Sequence, residues 1–152
     1  MPQDNTSNNN QDAIQNKETA TSIAQQWLDD SARTATNKEF DEHFNLISKK
    51  VRVTGVQGYE SVSYDDWARQ SEQEFKDNVL KSVSYDGLKM LATSETQIMF
   101  KTIETVLAND AKRSAHGVEV LLTHEEDGVW RVTQERVLTD AESVHDGLMK
   151  SL

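Results

Sequence analysis

The chain has no cysteine. That removes a disulfide framework, a thiolate zinc site and a cysteine nucleophile, and nothing in it requires an oxidising compartment. Basic residues are also scarce: 16 Lys and Arg are scattered among 26 Asp and Glu, for a formal net charge of −10. Phosphate-backbone binding depends on clustered cations that displace counterions, so nucleic acid is not an expected partner. No stretch approaches the ~18 consecutive apolar residues of a membrane span. The opening MPQDNTSNNNQDA has neither the basic start nor the apolar core of a secretory leader. Internal repeats and a glycine-rich phosphate loop are missing as well. These absences describe a soluble, cytoplasmic protein with no membrane partner, and 152 residues suit one domain.

The clearest positive signal is a pair of strands from Ser114 to Val137. Val118, Val120 and Leu122 alternate with Glu119, Leu121 and Thr123, and Trp130 and Val132 alternate with Val129, Arg131 and Thr133. A two-residue turn at Asp127-Gly128 would set Trp130 and Val132 on the face of Glu119 and Thr123. A three-residue loop, Glu126-Asp127-Gly128 with Gly128 left-handed, pairs Leu122 with Val132 and Val120 with Gln134, so the bulky residues share a face. Continued outward, that register sets Val118 opposite Arg136 and His116 near Leu138.

Residues 1–12 are almost all polar and read as an unstructured tail. Ala20, Ile23, Ala24, Trp27, Leu28 and Ala35 then recur at helical spacing. Thr36 and Glu39 have capping-box spacing ahead of Phe40, Phe44 and Ile47, which predicts a second helix over about 37–47, with His43 as a boundary residue. Val51 and Val53 form a short strand broken by Gly55 and Gly58, leading into a loop through Tyr59. Ser63, with Asp66 three later, opens a third helix carrying Trp67, Ala68 and Phe75, whose acidic first turn suits the helix dipole. Val83, Tyr85, Leu88 and Met90 share one face if Asp86-Gly87 is a bulge; a tight hairpin there is the rival reading. Residues 96–108 read as a strand, and 109–113 as a turn. The last segment, 139–152, is a tail or a short docking helix behind Thr139 and Asp140.

Three N-terminal helices, a short strand between the second and third, and long strands ending in Asp127-Gly128-Val129-Trp130-Arg131-Val132 resemble the nuclear transport factor 2-like superfamily over residues 13–138. Its members include ketosteroid isomerases, SnoaL-like polyketide cyclases and small dehydratases. The resemblance implies an α+β fold in which a curved, antiparallel-dominated sheet wraps three helices into a cystatin-like cone holding a small apolar ligand. Where ketosteroid isomerases of this layout place a general-base aspartate, the chain has Thr54-Gly55. Their protonated-aspartate position falls near Val120, with Glu119 facing the other way, so neither carboxylate is reproduced.

Pairing residues 96–108 with the next strand through a five-residue loop sets Val106 opposite His116, Glu104 opposite Val118 and Thr102 opposite Val120. Thr102, Glu104, His116, Gln134 and Arg136 then form a polar patch at the end of an apolar wall that includes Trp27, Tyr59, Trp67, Val118 and Val120. Such a pocket orients a small molecule. His116 with Glu104 supplies a general base or acid, and Arg136 or Gln134 an oxyanion donor; the rival is a plain Glu104–Arg136 ion pair. No His, Asp and Glu set has metal-ligand spacing, so neither metal nor cofactor is expected. Leu121 and Ile103 on the outer sheet face call for cover, either by a second copy in a homodimer or by the segment around Leu148.

Overall fold

The computed structural model describes residues 5–150, with side chains from Glu18 onward. Its elements run α1 (Asn5–Thr36), α2 (Phe40–Phe44), β1 (Ile47–Thr54), β2 (Val62–Ser63), α3 (Tyr64–Lys76), β3 (Leu80–Thr93), β4 (Gln97–Ala108), β5 (Arg113–His124), β6 (Trp130–Val137) and α4 (Asp140–His145). The strands make one curved six-stranded sheet ordered β2-β1-β6-β5-β4-β3, antiparallel except where β1 lies parallel to β6.

The stripe on α1 is the reason the helix docks. Ala20, Ala24, Trp27 and Leu28 are buried against Phe100, Val118, Val120, Leu122 and Val132 of the sheet's inner face. Trp27 Nε1 also donates to the Leu46 carbonyl at 3.1 Å, fixing the ring beside the start of β1. The helix begins at Asn5, inside the stretch read as a tail; extending an existing helix costs far less than starting one. Residues 1–4 lie outside the described residues. The second helix is one turn rather than 37–47. Thr36 does not cap it: it ends α1, and its hydroxyl accepts from Val83 N at 3.1 Å. Glu39 is held by Arg33 at 2.8 Å. Ser63 does cap α3, accepting from Asp66 N at 3.2 Å.

Two bulges decide which side chains face inward. In β3 the pairing slips between Asp86 and Lys89, and Tyr85, Leu88 and Met90 all pack against the core, as the bulge reading requires. In β6 Leu122 pairs with Val132, as the three-residue loop demands, and Gly128 is left-handed at φ +83°. The next pair, however, is Leu121 with Gln134. The extra residue, Thr133, turns Glu135 and Val137 inward and Gln134 and Arg136 outward.

α4 is the docking helix that Thr139 permits; the Thr139 side chain accepts from Glu142 N at 3.1 Å. It lies on the outer face over Gly117, where a Cβ would sit 2.3 Å from Ser143 Oγ. Ile103, the cross-strand partner of Gly117, is buried. Ion pairs clamp the helix: Arg136 grips Glu142 at 2.9 Å and Glu119 at 3.1 Å, and Lys101 donates to Asp146 at 2.5 Å. Among the described residues, no helix is long and apolar enough to cross a membrane.

Candidate functional site

Between the inner sheet face, α1 and α3 lies a cavity of about 880 Å³. Trp27, Ile47, Val53, Trp67, Val118 and Val137 give it apolar walls, and Tyr59, 67% exposed, stands at the mouth. One set of polar groups lines the α3 side, among them Asp66, Arg69 and Glu74, and another gathers where β3, β4 and β5 run side by side. Tyr85, Glu104 and His116 are successive cross-strand partners, since Tyr85 pairs with Glu104 and Glu104 with His116.

Glu104 is the hub. Its Oε1 takes the His116 ring at 3.3 Å from Nε2, and its Oε2 accepts the Tyr85 hydroxyl at 3.1 Å. Tyr85 has spent its one proton there, so Ser31 Oγ, 3.1 Å away, is the donor to the phenol oxygen. The hydrogen bond to Glu104 raises the His116 pKa above its ordinary value, with burial opposing it. Burial and the Glu104 charge hold the Tyr85 pKa well above 10. With Nε2–H directed at Glu104, neutral His116 carries its lone pair on Nδ1. Glu104→Gln is therefore expected to lower the His116 pKa, read from its ring ¹⁵N shifts against pH; an unchanged value would mean that the pair does not set it.

His43, read as a boundary residue, also lines the cavity. Thr34 Oγ1 gives its proton to the Asp30 carbonyl at 2.7 Å, so it accepts from His43 Nδ1 at 2.9 Å, leaving Nε2 unprotonated. Burial depresses the His43 pKa to about 4. An unfolded chain would bind this proton near the ordinary 6.5, so stability is lost as pH falls from that value through the folded one. His43→Gln is expected to flatten the acid limb of a urea-midpoint profile in that window; an unaltered limb would contradict a buried neutral ring.

Glu135, missed in the sequence reading, opens onto the same cavity from β6 and is half-buried. Enclosure by the cone, and then the Glu104 carboxylate, push its pKa up to about 8.

The structure thus brings His116, Glu104, Trp27, Tyr59, Trp67 and Val118 to one cavity. Four residues assigned to it lie elsewhere. Gln134 and Arg136 are on the outer face because of the Thr133 bulge, and Arg136 is committed to Glu119 and Glu142 rather than to a Glu104 ion pair. Thr102 is fully buried with its hydroxyl on the Asp86 carbonyl at 3.1 Å, stitching the β3 bulge, and Val120 is sealed in the core. The β4–β5 register is two residues from the expected one, so Glu104 faces His116 directly. A slip of two keeps each side chain on its face, which is why the pair survives the error. Among the described residues, no group of three or more His, Asp or Glu could hold a metal ion.

No family model matches the sequence, and no curated protein matches it. Solved structures do. A candidate scytalone dehydratase from Novosphingobium aromaticivorans superposes with a TM-score of 0.69 at 11% identity, over 82% of this chain and 86% of that one. A nuclear transport factor 2-like protein of unknown function from Pseudomonas putida gives 0.64 at 10%, over 79% and 86%. A protein from Catenulispora acidiphila, solved in complex with S-DNPA, gives 0.66 at 13%, over 84% and 98%. At such identities the likeness is one of fold: the chain has the nuclear transport factor 2-like cone, an α+β architecture with a cavity inside its sheet.

Proposed function

We propose that the cone binds a small, mostly apolar molecule and performs cofactor-independent acid–base chemistry on it, of the isomerase, cyclase or dehydratase kind. The observation that carries this is the Glu104–His116 pair, 3.3 Å apart, in a cavity where it meets an apolar wall of Trp27, Ile47, Val53 and Val118. Proton transfer near neutrality needs a group that titrates there, and a carboxylate that fixes the imidazole tautomer leaves the other nitrogen as base. In this reading Glu104 orients, Nδ1 of His116 takes a proton from carbon, and Tyr85 keeps Glu104 in place. Dehydratase and ligand-complex descriptions among proteins of the same fold support it.

Thermal-shift screening with hydrophobic ketones, lactones and steroids tests the binding claim. A ligand raises the melting temperature by mass action, about 2.7 kcal/mol at 100 times Kd. A uniform null across the set would favour the second reading, a non-catalytic binding or dimerisation module. The observation behind that reading is the outer face, where α4 leaves half-buried Leu121 and Met99 uncovered beside Gln134. A second copy seated there is expected to show in light scattering as twice the 17.2 kDa chain mass. The monomer mass from about micromolar to millimolar would remove the homodimer.

A further inference from the structure

We propose that Glu135 selects the ligand: it keeps a proton and donates it to an uncharged oxygen acceptor, so the cone takes neutral carbonyl or hydroxyl compounds and turns away carboxylates and amines. This rests on the cone being a site for small apolar molecules, and it adds a residue and a ligand class to that reading.

The first ground is position. The Thr133 bulge turns Glu135 into the cavity, where its cross-strand neighbours are Val53 on β1 and Val120 on β5. A carboxyl with valines on both sides has no local reason to be there. The second is that it has no hydrogen-bond or ion-pair partner among the described residues, whereas both oxygens of nearby Glu104 are taken. A carboxyl that opens onto a cavity with no protein partner is available to be completed by a ligand or water.

The third ground is the surrounding charge. Glu104 faces Glu135 from β4, Tyr85 from β3, His116 from β5 and His43 from α2; α1 contributes uncharged Ser31 and Trp27, and β1 uncharged Val53. Asp66, Glu74 and Asp77 add negative charge from α3 and its end. The one arginine on the cavity wall, Arg69, has a side chain 76% exposed and is held by Asp66 at 3.3 Å. His43 is neutral, and His116 is bound to Glu104. A second carboxylate beside Glu104 would have no cation to balance it, and retaining the proton avoids that. The upward shift of its titration to about 8 agrees. A carboxylic acid kept neutral by its site becomes a hydrogen-bond donor. Incoming carboxylates meet the negative field, and an ammonium beside Glu135 would lose its water against Val53 and Val120 and find both Glu104 oxygens already taken by His116 and Tyr85.

The test uses the full chain, its Glu135→Gln variant and three probes of similar size: acetophenone, 1-phenylethylamine and benzoate. Carboxyl ¹³C shifts of glutamate-labelled protein should show one group, absent from the variant, titrating near 8. Acetophenone should bind more than about 10-fold tighter than the other two at about pH 6. Its affinity should fall toward about pH 9 by a component that the variant lacks, glutamine remaining a donor at every pH. The melting temperature offers a check without ligand. A raised carboxyl pKa costs stability as pH rises from the ordinary value through the folded one, so Glu135→Gln should melt above the wild type at about pH 9 and level with it at about pH 5. A Glu135 that titrates in the ordinary carboxylate range would overturn the proposal, as would an amine that out-binds the ketone and loses that advantage in the variant. Acetophenone binding that is indifferent to pH and to the substitution would overturn the role of Glu135 and leave the cone's reading intact. Binding by none of the probes would remove both.

Discussion

Replacing His116 by glutamine is expected to reduce turnover of a substrate accepted by the cone by about 10²–10⁴-fold, while the melting temperature stays nearly level. Glutamine can still donate to Glu104, which keeps the Tyr85 hydroxyl on its other oxygen, so little packing is lost. What disappears is a nitrogen able to take and return a proton near neutrality. The comparison belongs at about pH 8. A histidine whose folded pKa is raised contributes stability that is fully present below the ordinary value and lost as pH rises through the folded one, so a test in acid would mix the two effects. A purely structural histidine would show the reverse pattern, a cost of about 1–3 kcal/mol with binding intact. A stable variant with full activity contradicts both.

Gly55→Ala is expected to cost about 2–5 kcal/mol, from roughly 1–2 for the left-handed backbone and 1–3 for overpacking. Gly55 has φ +82°, and a Cβ there would sit 2.2 Å from the Val137 carbonyl oxygen and 3.0 Å from its nitrogen. Both are backbone atoms of β6, which cannot rotate aside as a side chain would. Relief requires prising apart the parallel β1–β6 pair at Thr54 and Arg136. Urea unfolding measures this directly, and a shift below about 0.5 kcal/mol would show that the contact relaxes freely. The crowding bears on chemistry too. Thr54-Gly55 is the stretch where the resemblance to ketosteroid isomerases would set a general base, and at Gly55 no side chain fits; the carboxyls on the cavity's sheet side come instead from β4 and β6.

The fold was legible because its signals are redundant. Trp27 and Leu28 at helical spacing, Ser63 with Asp66, and the Asp127-Gly128 turn each specify one local geometry, and together they allow few arrangements. The Glu104–His116 pair was legible because both residues share the parity of the apolar positions around them, and a two-residue slip preserves parity. One residue, Thr133, is why Gln134 and Arg136 were misplaced and Glu135 was missed. A signal existed: Val132 and Val137 differ by an odd number, the same break between Tyr85 and Leu88 that marked the β3 bulge. Thr102 was placed on the correct face, yet the β3 bulge claims its hydroxyl. The capping box at Thr36 failed for a tertiary reason, since β3 takes the hydroxyl that local spacing assigns to a helix start. His43 could not be read because its burial depends on Thr34 and on the Phe75 ring of α3. Only the assembled fold brings those groups together.

The central claim is that ligands enter the cone and meet His116 and Glu104. Its most direct test is a chemical-shift perturbation map during titration with acetophenone or the strongest thermal-shift hit. The expected result is a contiguous set of saturating shifts on Trp67, Tyr85, Glu104, His116, Val118 and Glu135, all of which line the cavity. Saturating shifts confined to Met99, Leu121, Gln134 and Arg136 on the outer face, with the cone's resonances unmoved, would contradict it.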